Sequence, residues 1–166
     1  MSDGDRIEIP KPEGYYCFAC GTANPIGLNL KFYRSGKNIC ADITLGKYHA
    51  GWSNISHGGI ISTLLDEIMS WAVLYFKRFF FVTRKIEVKY IRPVLVDTPL
   101  TVSGWLVKRD GPDEEIMAKA EIRDEKGRLL ARGVGEFIAI RGERLSFIPE
   151  ESKSEIFSMI EKMPPV

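Results

Sequence analysis

Between Ile60 and Phe76 the apolar residues fall at three- and four-residue spacing, and nowhere else in the chain does that period run so long. Ile60, Ile61, Leu64, Leu65, Ile68, Met69, Ala72 and Phe76 fill about half the circumference of a helix turning 100° per residue. Ser56 or Asn54 can cap its start, and Lys77 and Arg78 complement the dipole at its end. On both sides the period is two. Upstream, Leu28, Leu30 and Phe32 alternate with polar residues; after the turn Arg34-Ser-Gly-Lys37, so do Ile39, Ala41, Ile43 and Leu45. Downstream, four runs alternate: Ile86, Val88 and Tyr90; Leu100 and Val102; Ile116 to Ile122; and Leu129 to Phe137. The segments Asp110-Gly-Pro-Asp113 and Asp124-Glu-Lys-Gly127 have the composition of hairpin turns. From Ser152 to Met163 a short helix is expected, with Ile156, Met159, Ile160 and Met163 on one stripe. The expected order is strand, strand, long helix, four strands, short helix. One half-apolar helix among about six strands can be buried only if the sheet curls around it, which makes the fold class α+β.

The 166 residues, 45% hydrophobic and 27% charged, fit one ordinary domain with no room for a separate cofactor domain. Residues 1–14 are polar and broken by Pro10, Pro12 and Gly14, so they read as a lead-in to a single domain spanning 15–166. Twenty-three Lys and Arg balance 22 Asp and Glu, which argues against a general binder of nucleic acid or of anionic membranes. The longest apolar run, Ile68 to Phe76, is interrupted by Ser70 and falls short of the ~20 residues that span a bilayer, so no membrane span is expected. Met1-Ser-Asp-Gly-Asp-Arg6 has no apolar core of a secretory signal, and an odd count of three cysteines fits a reducing compartment. The expected location is cytoplasmic.

One long helix in a curved sheet of about six strands describes the hotdog fold, and specific residues strengthen that reading. His57-Gly58-Gly59-Ile60, followed by Leu65-Asp66-Glu67, resembles the HGG…LDE signature of hotdog-fold acyl-CoA thioesterases of the phenylacetate-pathway and 4-hydroxybenzoyl-CoA types. Cys17-Phe-Ala-Cys-Gly21 with Asn24-Pro-Ile-Gly-Leu28 is similar to the amino-terminal motif of one branch. Thr83, Tyr90 and Arg92-Pro93 resemble its third strand, and the run from Ala120 to Gly133 resembles its last hairpin. The resemblance covers nearly the whole chain.

It implies that Asp66 acts on a thioester, as general base for water or as nucleophile. The plainer alternative is an exposed carboxylate on the polar side of the helix. Against that stands its company, because Gly59, Thr63, Asp66 and Ser70 form a stripe of small residues that leaves room for a substrate. Glu67, 100° further round, reads as a surface or interface carboxylate. Gly58 opens the helix, where unpaired N–H groups suit a developing oxyanion, although two glycines also serve a tight turn. The resemblance gives His57 a polarising or positioning role; a cap is the commoner use of such a histidine. Thr83 matches a Thr or Ser that helps hold water, and strand parity places it opposite Ile86 and Val88, away from its own core. Asn54 is a possible substrate contact or a cap.

Gly58 and Asp66 are eight residues apart, about 12 Å along a helix. One carbonyl carbon cannot meet both in one chain. A two-fold axis that sets two helices antiparallel would pair Gly58 of one subunit with Asp66 of the other, so a homodimer is expected, alone or as half of a dimer of dimers. Coenzyme A carries phosphates, for which Arg84, Lys85, Lys89, Arg92 and Lys108-Arg109 are candidate cations, although strand-edge charges usually serve solvation. Cys17 and Cys20 have the spacing of half a zinc site, but Cys40 and His49 could complete it only by fortunate geometry, so neither a metal nor any other cofactor is expected beyond the coenzyme A of the substrate. Trp52, Met69, Trp71 and Phe79 to Phe81 are either pocket lining or plain core. The expected activity is hydrolysis of an acyl-CoA to free CoA and a carboxylate. A hydratase acting on enoyl or hydroxyacyl thioesters and a non-catalytic acyl-CoA sensor are the alternatives; a DNA-reading sensor would need a helical segment that the short stretch 1–14 does not supply.

Overall fold

The structure is a computed structural model that describes residues 6–108 and 115–166. Its strands are β1 (Arg6–Ile9), β2 (Phe32–Ser35), β3 (Asn38–Thr44), β4 (Ala50–Trp52) and β5 (Ile55–Ser56), followed by helix α1 (Gly58–Lys77). Then come β6 (Phe81–Tyr90), β7 (Pro99–Val107), β8 (Glu115–Asp124), β9 (Leu129–Ala139) and helix α2 (Glu150–Lys162). Seven strands form one antiparallel sheet in the order β1-β2-β3-β7-β8-β9-β6, and β4 and β5 form a small separate hairpin. The sheet wraps α1, which packs on β3, β6, β7, β8 and β9. This is the hotdog architecture expected from the change of period.

Alternation along the strands explains why the sheet has one covered face. On β8, Ile116, Ala118, Ala120 and Ile122 are buried while Lys119 between them and Arg123 just beyond them are exposed. From the other side α1 presents Leu64, Leu65, Ile68, Met69 and Ala72, all with no accessible surface. Each large side chain buried this way contributes roughly 1.5–3 kcal/mol. The helix comes so close that a Cβ on Gly104 of β7 would lie 2.8 Å from the Ile68 carbonyl oxygen. An 18-residue window within Gly58–Lys77 reaches a mean hydropathy of 1.3, enough by length and composition for a bilayer, which the broken run Ile68 to Phe76 did not reveal; ten residues of this helix are buried inside the fold, as a core helix requires.

Several local expectations change. The lead-in 1–14 is not all outside the sheet: Ile7 and Ile9 alternate with Arg6 and Glu8, and the strand they form pairs with β2 while Ile9 enters the core. Leu28 and Leu30 are buried but are not in a strand. Their N–H groups bond to Phe18 O and Ala19 O, and Asn29 adopts a φ of 46°, so this stretch serves the cysteine loop instead of the sheet. The β4–β5 hairpin, only five residues in its two strands, had no periodic signal long enough to read. The expected turn at 110–113, with Arg109, lies outside the described residues. Helix α1 ends at Arg78 in the left-handed region, φ 59°, and the Arg78 guanidinium donates to Ile160 O and Pro164 O, tying the carboxyl-terminal segment to the end of the core helix.

Candidate active site

The start of α1 is organised by His57. Its Nδ1 accepts from Gly59 N–H at 2.9 Å, and its carbonyl oxygen accepts from both Ile60 and Ile61 N–H. His57 is therefore the cap, in place of Ser56, whose Oγ is buried without a partner among the described residues, or Asn54, which is exposed. An accepting Nδ1 leaves the proton of the neutral imidazole on Nε2, free to donate. Of the first four helical N–H groups three are thus engaged, and among the described residues nothing accepts from the fourth, Gly58 N–H. Tyr90, at the end of β6, fixes this turn from above: its hydroxyl donates to Gly58 O at 3.0 Å and lies 2.8 Å from Ser62 Oγ. Tyr90 was legible as a motif residue, but its reach across to the helix start was not.

Two turns further along, Asp66 meets Thr83. Thr83 Oγ1 donates to Asp66 Oδ1 at 3.1 Å. Burial raises the Asp66 pKa above the usual carboxylate value, and the Thr83 hydrogen bond offsets part of that rise. Strict strand parity would turn Thr83 away from its own helix. The strand is bulged, however, since Thr83 pairs with Phe137 and Lys85 with Glu136, leaving Arg84 as an extra residue. One inserted residue reverses the alternation, so Thr83 shares a face with the fully buried Phe137. Thr63 and Gly59 continue the stripe, with Thr63 Oγ1 donating to Gly59 O at 2.9 Å. Helical geometry keeps Gly58 about 12 Å from Asp66.

The expected cation cluster is partly committed elsewhere. Arg84 bonds to Glu115 at 3.2 Å and to Glu136 at 2.9 Å, Lys85 lies 4.0 Å from Glu136, and Arg92 donates to the Leu129 carbonyl at 2.6 Å. Lys89 lines a shallow cleft on the sheet with Glu87, Arg132 and Glu121. Among the expected pocket residues, Met69 is core and Trp52 is 82% exposed, whereas Trp71 and Phe79 to Phe81 line a cavity of about 410 Å³ under α2.

That cavity also exposes a grouping the spacing did not reveal. Glu67 is not a surface carboxylate: it turns under the amino-terminal loop, accepts from Trp71 Nε1 at 2.9 Å and has its Oε1 3.9 Å from Cys17 Sγ. Burial and the neighbouring Cys17 push its pKa up to about 7. The hydrogen bond between the two thiols pulls Cys17 down and pushes Cys20 up, because only one of them can readily carry the charge. Cys40 and His49 take no part. Cys40 faces Ser103 at 3.5 Å, and His49 Nδ1 accepts from Gly46 N–H.

With this geometry in view, residues 54–131 match the sequence model of the thioesterase superfamily. The likeness to that superfamily thus covers 78 of the chain's 166 residues. The matched span holds the His57 cap, Gly58, Asp66, Glu67, Thr83 and Tyr90 together. One relative, verlamelin biosynthesis protein B of Lecanicillium, is 28% identical over 134 residues, covering 64% of this chain and 54% of that protein; the chain thus spans about half the length of this relative. The same hotdog fold recurs in a solved thioesterase superfamily protein at 23% identity and a TM-score of 0.68, covering 74% of this chain and 60% of that one. It recurs again in a hypothetical thioesterase of Streptococcus pneumoniae solved with coenzyme A, at 18% identity and a TM-score of 0.58, over 63% of this chain and 79% of that one.

Proposed function

We propose that this hotdog thioesterase hydrolyses an acyl-CoA, with each active site shared between two subunits. The pairing of Asp66 with Thr83 on the small-residue stripe of α1, in a superfamily of thioesterases, is the observation that carries this reading. Thr83 occupies Oδ1 and so fixes the carboxylate, which leaves Oδ2 to take a proton from water as the water oxygen attacks the thioester carbonyl. Charge then develops on the carbonyl oxygen. The Gly58 N–H of the other subunit, at the positive end of its helix and without an acceptor among the described residues, stabilises that charge, and His57 Nε2–H is placed to assist. Collapse of the tetrahedral intermediate breaks the C–S bond and releases the thiolate of CoA, which takes up a proton, and a carboxylic acid. The coenzyme A bound by the Streptococcus pneumoniae protein supports the substrate class. The 12 Å separation supports the dimer, as does β6, whose ten residues form an edge of the sheet and are mostly exposed.

The test is release of free thiol from a panel of acyl-CoAs, comparing the native chain with Asp66→Asn. Loss of release in the variant with substrate binding retained is the expected result. Equal rates in the two proteins would overturn the assignment, and tight binding without release by the native chain would make it an acyl-CoA sensor.

A further inference from the structure

The amino-terminal loop brings together two thiols and a carboxylate that thioester hydrolysis does not use. Cys17 Sγ, Cys20 Sγ and a Glu67 carboxylate oxygen all lie within 4.8 Å of one another. We propose that Cys17, Cys20 and Glu67 bind one divalent ion of the zinc type, which pins the amino-terminal loop to the core helix.

The donor set fits that ion. Thiolate and carboxylate together suit zinc, with metal–sulfur bonds near 2.3 Å and metal–oxygen bonds near 2.1 Å, so ligand atoms around a tetrahedral ion stand about 3.6–3.8 Å apart. Cys17 Sγ and Glu67 Oε1 are already at 3.9 Å, and none of the three separations, all within 4.8 Å, has to close by more than about 1 Å.

The surroundings are those of a built site. Cys20 N–H points at Cys17 Sγ, 3.5 Å away, and Gly21 N–H closes the loop onto Cys17 O at 2.9 Å. A Cβ on Gly21 would stand 2.5 Å from that same oxygen, so a loop this tight needs glycine there. Trp71 Nε1–H holds the Glu67 carboxylate and the Tyr15 hydroxyl lies 3.1 Å from Cys20 Sγ, two partners that orient ligands from behind. Two thiolates, one carboxylate and a divalent cation carry a net charge of −1. Lys11, whose ammonium donates to Cys20 O at 2.7 Å and to Leu30 O, sets a positive charge beside them. All three ligands line the 410 Å³ cavity under α2, which leaves a fourth coordination position for water. The sequence spacing could not show this, because the third ligand is 47 residues beyond Cys20 on another element.

The experiment is a titration of the full chain, stripped with chelator under reducing conditions, with cobalt chloride and then zinc chloride. One equivalent of cobalt should produce the strong thiolate-to-cobalt charge-transfer band and the visible bands of a four-coordinate site, and zinc should bleach both. Glu67→Gln, which keeps the side-chain volume and an oxygen for Trp71, should weaken binding by tenfold or more. Absence of the charge-transfer band at millimolar cobalt would overturn the proposal, and so would Glu67→Gln binding as tightly as the native chain. So would a Cys17–Cys20 disulfide that persists in the purified protein despite the reductant. The readout is optical, so a chain that binds cobalt but releases no thiol from any acyl-CoA would refute the thioesterase reading and leave this one intact.

Discussion

Thr83 donates one hydrogen bond, and its acceptor is the oxygen of a half-buried carboxylate that lies on a helix and not on its own strand. Hydrogen bonds to a charged group contribute about 1.5–3 kcal/mol, so Thr83→Val should lower kcat for thiol release by roughly 10- to 100-fold while leaving the fold intact. Thr83→Ser should recover most of that loss, since it keeps the hydroxyl. For Asp66→Asn the expected fall is larger, about 10²- to 10⁴-fold, as for loss of a positioned general base. Steady-state assays on the three variants, with circular dichroism to check folding, distinguish these outcomes; a Thr83→Val enzyme at full rate would make the contact structural. These residues were nameable from the HGG…LDE and third-strand motifs, but the contact between Thr83 and Asp66 was not. A single bulge at Arg84 decides the face on which Thr83 lies, and only three residues of β6 precede it, too few for a change of alternation to show in the sequence. Arg84 shows the complementary limit: it is a plausible phosphate ligand by type and position, yet it is held by Glu115 and Glu136 from neighbouring strands.

At the scale of elements, the approach of α1 to β7 is a tight backbone constraint in the core. Gly104→Ala would place a methyl against the Ile68 backbone, which cannot move as a side-chain tip could. Overpacking of this kind costs roughly 1–3 kcal/mol, and the urea midpoint of that variant should fall accordingly. The β8–β9 turn is held differently. Asp124 accepts N–H bonds from Lys126 and Arg128 and a bond from the Arg128 guanidinium at 2.7 Å. Desolvation raises the Asp124 pKa, but the hydrogen bonds and the charge from Arg128, with the Lys126 amide, outweigh it, so the folded value lies below the ordinary carboxylate value. A carboxyl group depressed in the folded state stabilises above its unfolded pKa, about 3.9, and that contribution is lost as the pH falls through the folded value. Denaturant midpoints measured from pH 5 down to pH 2 should therefore decline, and less steeply for Asp124→Asn. The long helix and the four downstream strands were readable because each repeats its period over many residues. Strand β1 and the β4–β5 hairpin were not, being too short for a period to declare itself.

For the whole molecule, the decisive quantity is the distance between the two ends of the chemistry. If Gly58 of one subunit serves Asp66 of another, mixing two inactive variants should restore activity. Refolding Asp66→Asn together with Gly58→Val would give heterodimers in which one of two sites has both groups intact, and about a quarter of native thiol release is the expected yield for random pairing. No recovery, or a monomer in sedimentation at full activity, would show that one chain completes its own site. The amino-terminal loop, the core helix and the carboxyl-terminal segment meet around the cavity under α2, with Tyr75 and Arg78 gripping the backbone of residues 160–165. The alternation of period along the chain determined by itself that one helix would be wrapped by a curved antiparallel sheet, because burying a half-apolar helix among strands has few other solutions. It also determined which turn of the helix carries the acid and which the glycines. Only the tertiary structure decided that His57 caps the helix, that Thr83 turns inward to Asp66, and that Glu67 faces Cys17 and Cys20. Each of these depends on contacts between segments far apart in sequence, and a local pattern carries no record of which distant backbone will fold over it.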